Sequence, residues 1–134
     1  MKMIWGGSIL IYFVGLGGGL LLPYASHYLT GAIYGRPLAQ LCETLRRLGI
    51  EKAAGHSEPE DLLRSFEIMA GLVGRSIVAP AGADRDFFKR HLAPWIRRFF
   101  ADLEHAKSVG FYARVGTLGR TFVDVEIEAF SLPD

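Results

Sequence analysis

The chain has 134 residues, half of them hydrophobic and 22% charged, with a formal net charge of +1. That length supports one domain with a real but modest core, and the balance excludes both a disordered chain and a basic nucleic-acid-binding surface. Cys42 is the single cysteine, which rules out an intrachain disulfide and a cysteine-built zinc site. Its helical surroundings suggest an inert, buried thiol there.

Between Lys2 and Arg36 there is no Asp, Glu, Lys or Arg, and Ile4 to Leu22 is almost wholly apolar or glycine. A run of about 20 apolar residues can span a bilayer, so a membrane anchor over Ile4–Leu22 is one reading. Against it, Gly6, Gly7, Gly15, Gly17, Gly18 and Gly19 lower helix propensity and Pro23 stops the run. A buried segment of a folded core is the preferred alternative. Gly15-Leu16-Gly17-Gly18-Gly19 lacks the Lys-Ser/Thr that a phosphate loop carries.

The remaining elements read as helices. Residues 23–34 form a short apolar-aromatic helix. Pro37 suits the first turn of a second helix, in which Leu38, Leu41, Cys42, Leu45 and Leu48 define a buried face at three- and four-residue spacing. Arg46 and Arg47 suit its C-terminal end and Gly49 closes it. Ser57 with Glu60 makes a capping box for a third helix that turns Leu62, Leu63, Phe66, Met69, Leu72 and Val73 inward and fades near Gly74. Ala79-Pro80-Ala81-Gly82-Ala83 is a loop. Asp84 can cap a helix holding Phe87, Phe88 and Leu92, which Pro94 must break or kink. Trp95, Ile96, Phe99, Phe100 and Leu103 form the next apolar face. Ser108 caps a last helix, where Phe111, Val115, Leu118, Phe122 and Val125 recur as a core-packing seam until Leu132-Pro133. Val123-Asp124-Val125-Glu126-Ile127 alternates like a strand, but with no partner strand it reads as helix. The expected fold is an all-α bundle of about five to six helices, with 1–134 as one domain.

No catalytic arrangement emerges. His27, His56, His91 and His105 are scattered, without the i, i+4 pairing of a metal-binding helix, and no serine sits in a nucleophile elbow. Asp102 and Glu104 lie two apart on different helix faces and make no acid–base pair. The reading is a protein without cofactor or metal, and not an enzyme.

Several blocks in order resemble the TorD/DmsD family of chaperones that mature molybdenum-containing redox enzymes. They are Phe13-Val14-Gly15-Leu16-Gly17, Leu22-Pro23-Tyr24-Ala25-Ser26-His27-Tyr28, Glu58-Pro59-Glu60-Asp61, His91 to Glu104, and Phe111-Tyr112. Gly35-Arg36-Pro37-Leu38 with Leu41 and Leu45 is similar to the branch associated with formate dehydrogenases. The match runs over about residues 13–134, with residues 1–12 matching poorly. The family motif Glu-Pro-x-Asp-His has Leu62 in place of its histidine here. The resemblance is to the C-terminal part of the family domain, which implies that the family's N-terminal helices are absent from this chain.

The resemblance implies a truncated TorD-like fold and a cytoplasmic chaperone. Its partners are the twin-arginine signal peptide and the apo form of a molybdoenzyme client, with formate dehydrogenase as the indicated one. Such a site needs an apolar groove and acidic groups for the arginines. By position Pro23, Tyr24 and Tyr28 supply the groove, and Glu58 and Asp61 the charge. His91, Pro94 and Trp95 read as structural. Apolar surface left bare by missing helices favours self-association, so a homodimer or larger oligomer is expected. Nucleic acid is not expected as a partner, and membrane association is the lesser reading.

Overall fold

A computed structural model describes residues 23–31, 35–50, 62–105 and 110–133. Their elements are α1 (Ala25–Thr30), α2 (Arg36–Arg47), α3 (Leu62–Val73), α4 (Ala83–Phe87), a π-helical turn (Phe88–Leu92), α5 (Ala93–His105) and α6 (Gly110–Ser131). Because α4, the π turn and α5 run on without a break, these make five continuous helical runs. No β-strand element occurs among the described residues, and the all-α expectation holds. The capping box at Ser57 and Glu60, the Ser108 cap and the segment Ile4–Leu22 lie outside the described residues.

The chain divides into two compact units, one built from Tyr24–Trp95 and one to which the residues from Ile96 onward belong. In the first, α1 packs on α2, while α3 packs on α4 and the π turn. The core residues there are Tyr28, Leu41, Leu45, Ile68, Leu72, Phe87, Phe88, Leu92 and Trp95.

Local chemistry sets the ends of these helices. Gly31 takes a left-handed φ of 76° and donates its N–H to the His27 carbonyl, closing α1 after six residues, shorter than the 23–34 expected. Pro37 sits in the first turn of α2, where a missing N–H costs nothing. At its far end Gly49 (φ 72°) donates to Arg46 O at 3.1 Å and Ile50 to Leu45 O at 2.9 Å. These are the paired bonds of a Schellman cap, as the sequence suggested. Of the expected α2 face, Leu41 and Leu45 are buried, while Leu38, Cys42 and Leu48 are only half-buried.

On α3 the buried positions are Ser65, Ile68, Gly71 and Leu72, and Val73 is 59% exposed. The inward face is thus turned from the one expected, with Val73 outside it. Gly71 explains the shift: a Cβ there would crowd Ile77, which folds back after Arg75 enters the left-handed region and donates its N–H to Gly71 O at 3.0 Å.

Two expectations about the central run are corrected. Gly82 (φ 83°), not Asp84, is the N-cap of α4; Asp84 and Asp86 occupy its first turn instead, where acids complement the helix dipole. Of the two outcomes expected at Pro94, the break does not occur, and the helix is distorted in the turn before it instead. A proline in an α-helix lacks the N–H that would bond four residues back, and its ring clashes with that carbonyl. Here the preceding turn has widened to the π form, with Ala93 N–H bonding to Phe88 O five residues back. Phe87, Phe88, Leu92, Trp95, Ile96, Phe99, Phe100 and Leu103 are consequently all buried along one uninterrupted run.

In the second unit, Ile96, Phe99, Phe100, Leu103 and Val123 are buried. The expected seam of α6 is not the packed one. Phe111 is 66% exposed, Leu118 72%, Phe122 49% and Val125 59%. Gly116 and Val123 face inward instead. A Cβ on Gly116 would overlap the Glu104 backbone and lie 2.8 Å from Phe100 O, and one on Gly119 would overlap the Phe100 ring. Glycines therefore bring α6 against α5 almost backbone to backbone, an approach unavailable to the bulky seam. Ion pairs flank the crossing: Arg120 to Glu104 at 2.7 Å, Arg97 to Asp124 at 2.6 Å, and Arg120 to Asp124 at 3.6 Å.

Trp95 is fully buried and its indole N–H donates to His91 O at 2.7 Å. Trp95→Ala should therefore destabilise the fold by roughly 3–5 kcal/mol. Chemical denaturation checks this; an unchanged midpoint would mean the indole fills no core space.

Candidate functional site

Three of the residues singled out from the sequence, Pro23, Tyr24 and Tyr28, stand at the start of α1. Tyr24 is its N-cap, with extended backbone (φ −126°, ψ 132°), and is half-buried. Pro23, just before it in the chain, is buried. Tyr28, one turn on, donates its N–H to Tyr24 O at 3.4 Å. The residue is only 9% exposed, and its ring lies against Trp95, the centroids 5.9 Å apart. Tyr24 therefore offers the most surface of the three, and Tyr28 stands behind it as a wall tied to the core. Glu58 and Asp61 lie outside the described residues.

Ser26 holds this entrance in place. It is fully buried, its hydroxyl accepts a 3.1 Å bond from Gly35 N–H, and its carbonyl accepts one of 2.8 Å from Thr30 Oγ1. One small side chain thereby ties α1 to the first residue before α2. The position needs a short hydroxyl. A longer group would not fit between the helix and the Gly35 backbone.

A second feature of this unit was not foreseen. His91 Nε2 and Thr44 Oγ1 share a hydrogen bond of 2.8 Å across 47 residues of sequence, joining the π turn to α2. Burial, assisted by the charges of Arg90 and Arg47, lowers the His91 pKa from 6.5 to about 4. The ring is therefore neutral at physiological pH, and its other side meets Phe87 with centroids 5.1 Å apart. This fits the structural role expected of His91. No sequence signal pairs it with Thr44, because the two meet only through the tertiary fold.

In the other unit Glu104 is held below the usual carboxylate range, chiefly by its hydrogen bond from Arg120. Arg120 grips it with Nε at 2.7 Å and Nη2 at 3.4 Å, a clamp that orders α6 on α5 and leaves the carboxylate engaged. Among the described residues no group of three or more His, Cys, Asp or Glu could hold a metal ion. No helix among them is long and apolar enough to cross a membrane.

The family model described as "Nitrate reductase delta subunit" matches residues 12–101. The chain belongs to this family, which includes the TorD chaperones. The match begins inside the apolar run and spans the α1 entrance, Glu58 and Asp61, and most of α5. "Chaperone protein TorD" of Vibrio cholerae serotype O1, strain El Tor Inaba N16961, is 29% identical over 112 residues, covering 76% of this chain and 51% of that protein. Its counterpart from the Classical Ogawa 395 strain shows the same identity and coverage. The chain thus spans about half the length of the curated relatives it matches. No solved structure matches it.

The burial of His91 makes stability depend on pH. The unfolded chain takes up a proton near pH 6.5, whereas the folded one resists until about 4. Stability is therefore lost as pH falls through that window and levels off below it. Unfolding free energies measured from pH 6.5 down to about 5, above most carboxylate titration, should fall more steeply for the wild type than for His91→Gln. Identical slopes would show that His91 titrates normally.

Proposed function

We propose that this protein is a cytoplasmic chaperone that binds the twin-arginine signal peptide of an apo-molybdoenzyme and assists cofactor insertion before export. The family match over residues 12–101 carries this reading, because it takes in every residue of the proposed site. The 29% identity to chaperones named TorD supports it from a second direction. In this account residues 1–134 act as one domain, matching the C-terminal part of the longer relatives, and the protein performs no catalysis of its own.

A leader peptide of this kind joins two adjacent guanidinium groups to an apolar stretch. The first calls for carboxylates and the second for an aromatic or aliphatic trough. Glu58 and Asp61 are the proposed acids. Tyr24 is the proposed trough surface, Pro23 sets the backbone that leads into it, and Tyr28 backs it from the core side. The Ser26 tether fixes the first turn of α1, so the peptide meets a preformed surface and little ordering entropy is lost on binding. The similarity of Gly35-Arg36-Pro37-Leu38, Leu41 and Leu45 to the formate dehydrogenase branch points to that enzyme as client.

The second reading, an anchor over Ile4–Leu22, is less favoured. The family match begins at residue 12, so half of that run belongs to the family's own domain.

Fluorescence anisotropy with a labelled formate dehydrogenase leader peptide tests the site. Asp61→Asn and Tyr24→Ala should each weaken binding by roughly tenfold, the loss of one charge-assisted bond or one aromatic anchor, with helix content by circular dichroism unchanged. Wild-type affinity in either variant would remove that residue from the site.

A further inference from the structure

The face of α6 turned away from α5 carries a regular repeat. Phe111, Leu118, Val125 and Leu132 are spaced by seven residues, and Val115, Phe122 and Ala129 fall four residues after the first three. Alternating steps of four and three over three heptads are the pattern of a helix that supercoils with another. Of these positions Phe111, Leu118, Phe122, Val125 and Leu132 are between 49% and 72% exposed. Own-chain packing of α6 uses Gly116, Gly119 and Val123, roughly a third of a turn away. The stripe, about 30 Å long, is thus a second packing face with nothing of the described residues upon it.

The charges beside the stripe say what covers it. Arg114, Thr121 and Glu128 line one edge at seven-residue spacing, all exposed, and neither Arg114 nor Glu128 makes an ion pair among the described residues. When two copies of α6 lie antiparallel with Leu118 facing the partner's Phe122, Val115 faces the partner's Val125 and Phe111 faces the partner's Ala129. In that register Arg114 lies beside the partner's Glu128, and the two-fold axis repeats the pair. A parallel pairing brings Arg114 to the partner's Gly119 and Thr121 to the partner's Glu126, with no opposite charges matched. A lipid surface fits worse, because Asp124, Glu126 and Glu128 crowd the C-terminal half, whereas membrane-surface helices carry Lys and Arg there.

We propose that α6 is the self-association surface of this protein, where two copies pair antiparallel along the Phe111–Leu132 stripe. The assembly is a closed dimer. The inference stands apart from peptide binding.

Sedimentation of the full chain over a concentration series tests it. The wild type should reach a dimer, and Leu118→Glu, at a site already 72% exposed, should remain monomeric with unchanged circular dichroism. Arg114→Glu and Glu128→Arg should each weaken the dimer by roughly tenfold through two reversed pairs, and the double exchange should restore it. A wild type that stays monomeric overturns the proposal and assigns the stripe to another segment or a different protein. A dimer untouched by Leu118→Glu places the interface elsewhere. Failure of the double exchange to rescue rules out the antiparallel register.

Discussion

The π-helical turn before Pro94 is the constraint on which the rest depends. Without it the proline ring would collide with the carbonyl four residues back and the helix would end there. With it, Phe87 through Leu103 remains one helical run. That run provides Phe87, Phe88, Leu92 and Trp95 to the core of one unit, and Ile96, Phe99, Phe100 and Leu103 to the core of the other. The same turn places His91 where its ring bonds Thr44 and its carbonyl accepts the Trp95 indole. A single widened turn thus orients α2 against the central helix and seats the tryptophan against which Tyr28 packs. The proposed peptide site at the α1 entrance inherits its rigidity from that chain of contacts.

Much of this was legible in the sequence where a signal has a local cause. The cap at Gly49 follows from a left-handed glycine after an apolar helix, and Pro37 from its fit to a first turn. The buried run from Trp95 to Leu103 follows from apolar spacing alone. The all-α class was legible for the same reason, since no alternating stretch had a partner strand. The family resemblance drawn from the blocks around Tyr24, Asp61 and Trp95 agrees with the family match over residues 12–101.

Other features were hidden for physical reasons. Apolar periodicity reports that a helix has a sticky face, not which neighbour covers it. On α6 the stripe from Phe111 to Val125 looked like the core seam, yet glycines took the inward position, because only they permit backbone approach to Phe100 and Glu104. Glycine has no hydropathy to betray such a face. On α3 the same blindness put Val73 inside and overlooked Ile68. The π turn escaped notice because proline is read as a breaker, and one inserted residue of register is invisible to a 3.6-residue period. The His91–Thr44 bond spans 47 residues, beyond any local pattern.

The division of labour that results is simple. One end of the chain presents an aromatic surface at α1 held by Ser26 and the core, and the last helix keeps a free apolar edge on the side away from its own packing. The central claim is that the first of these, with its acids, reads adjacent arginines ahead of an apolar stretch. A calorimetric titration of the folded protein with a formate dehydrogenase leader peptide, beside the same peptide carrying two lysines, tests that most directly. Lysine keeps the charge but loses the planar fork that carboxylates grip bidentately, so the account predicts saturable binding of the arginine form and markedly weaker binding of the lysine form. Equal affinity for both, or no heat with either, would contradict it.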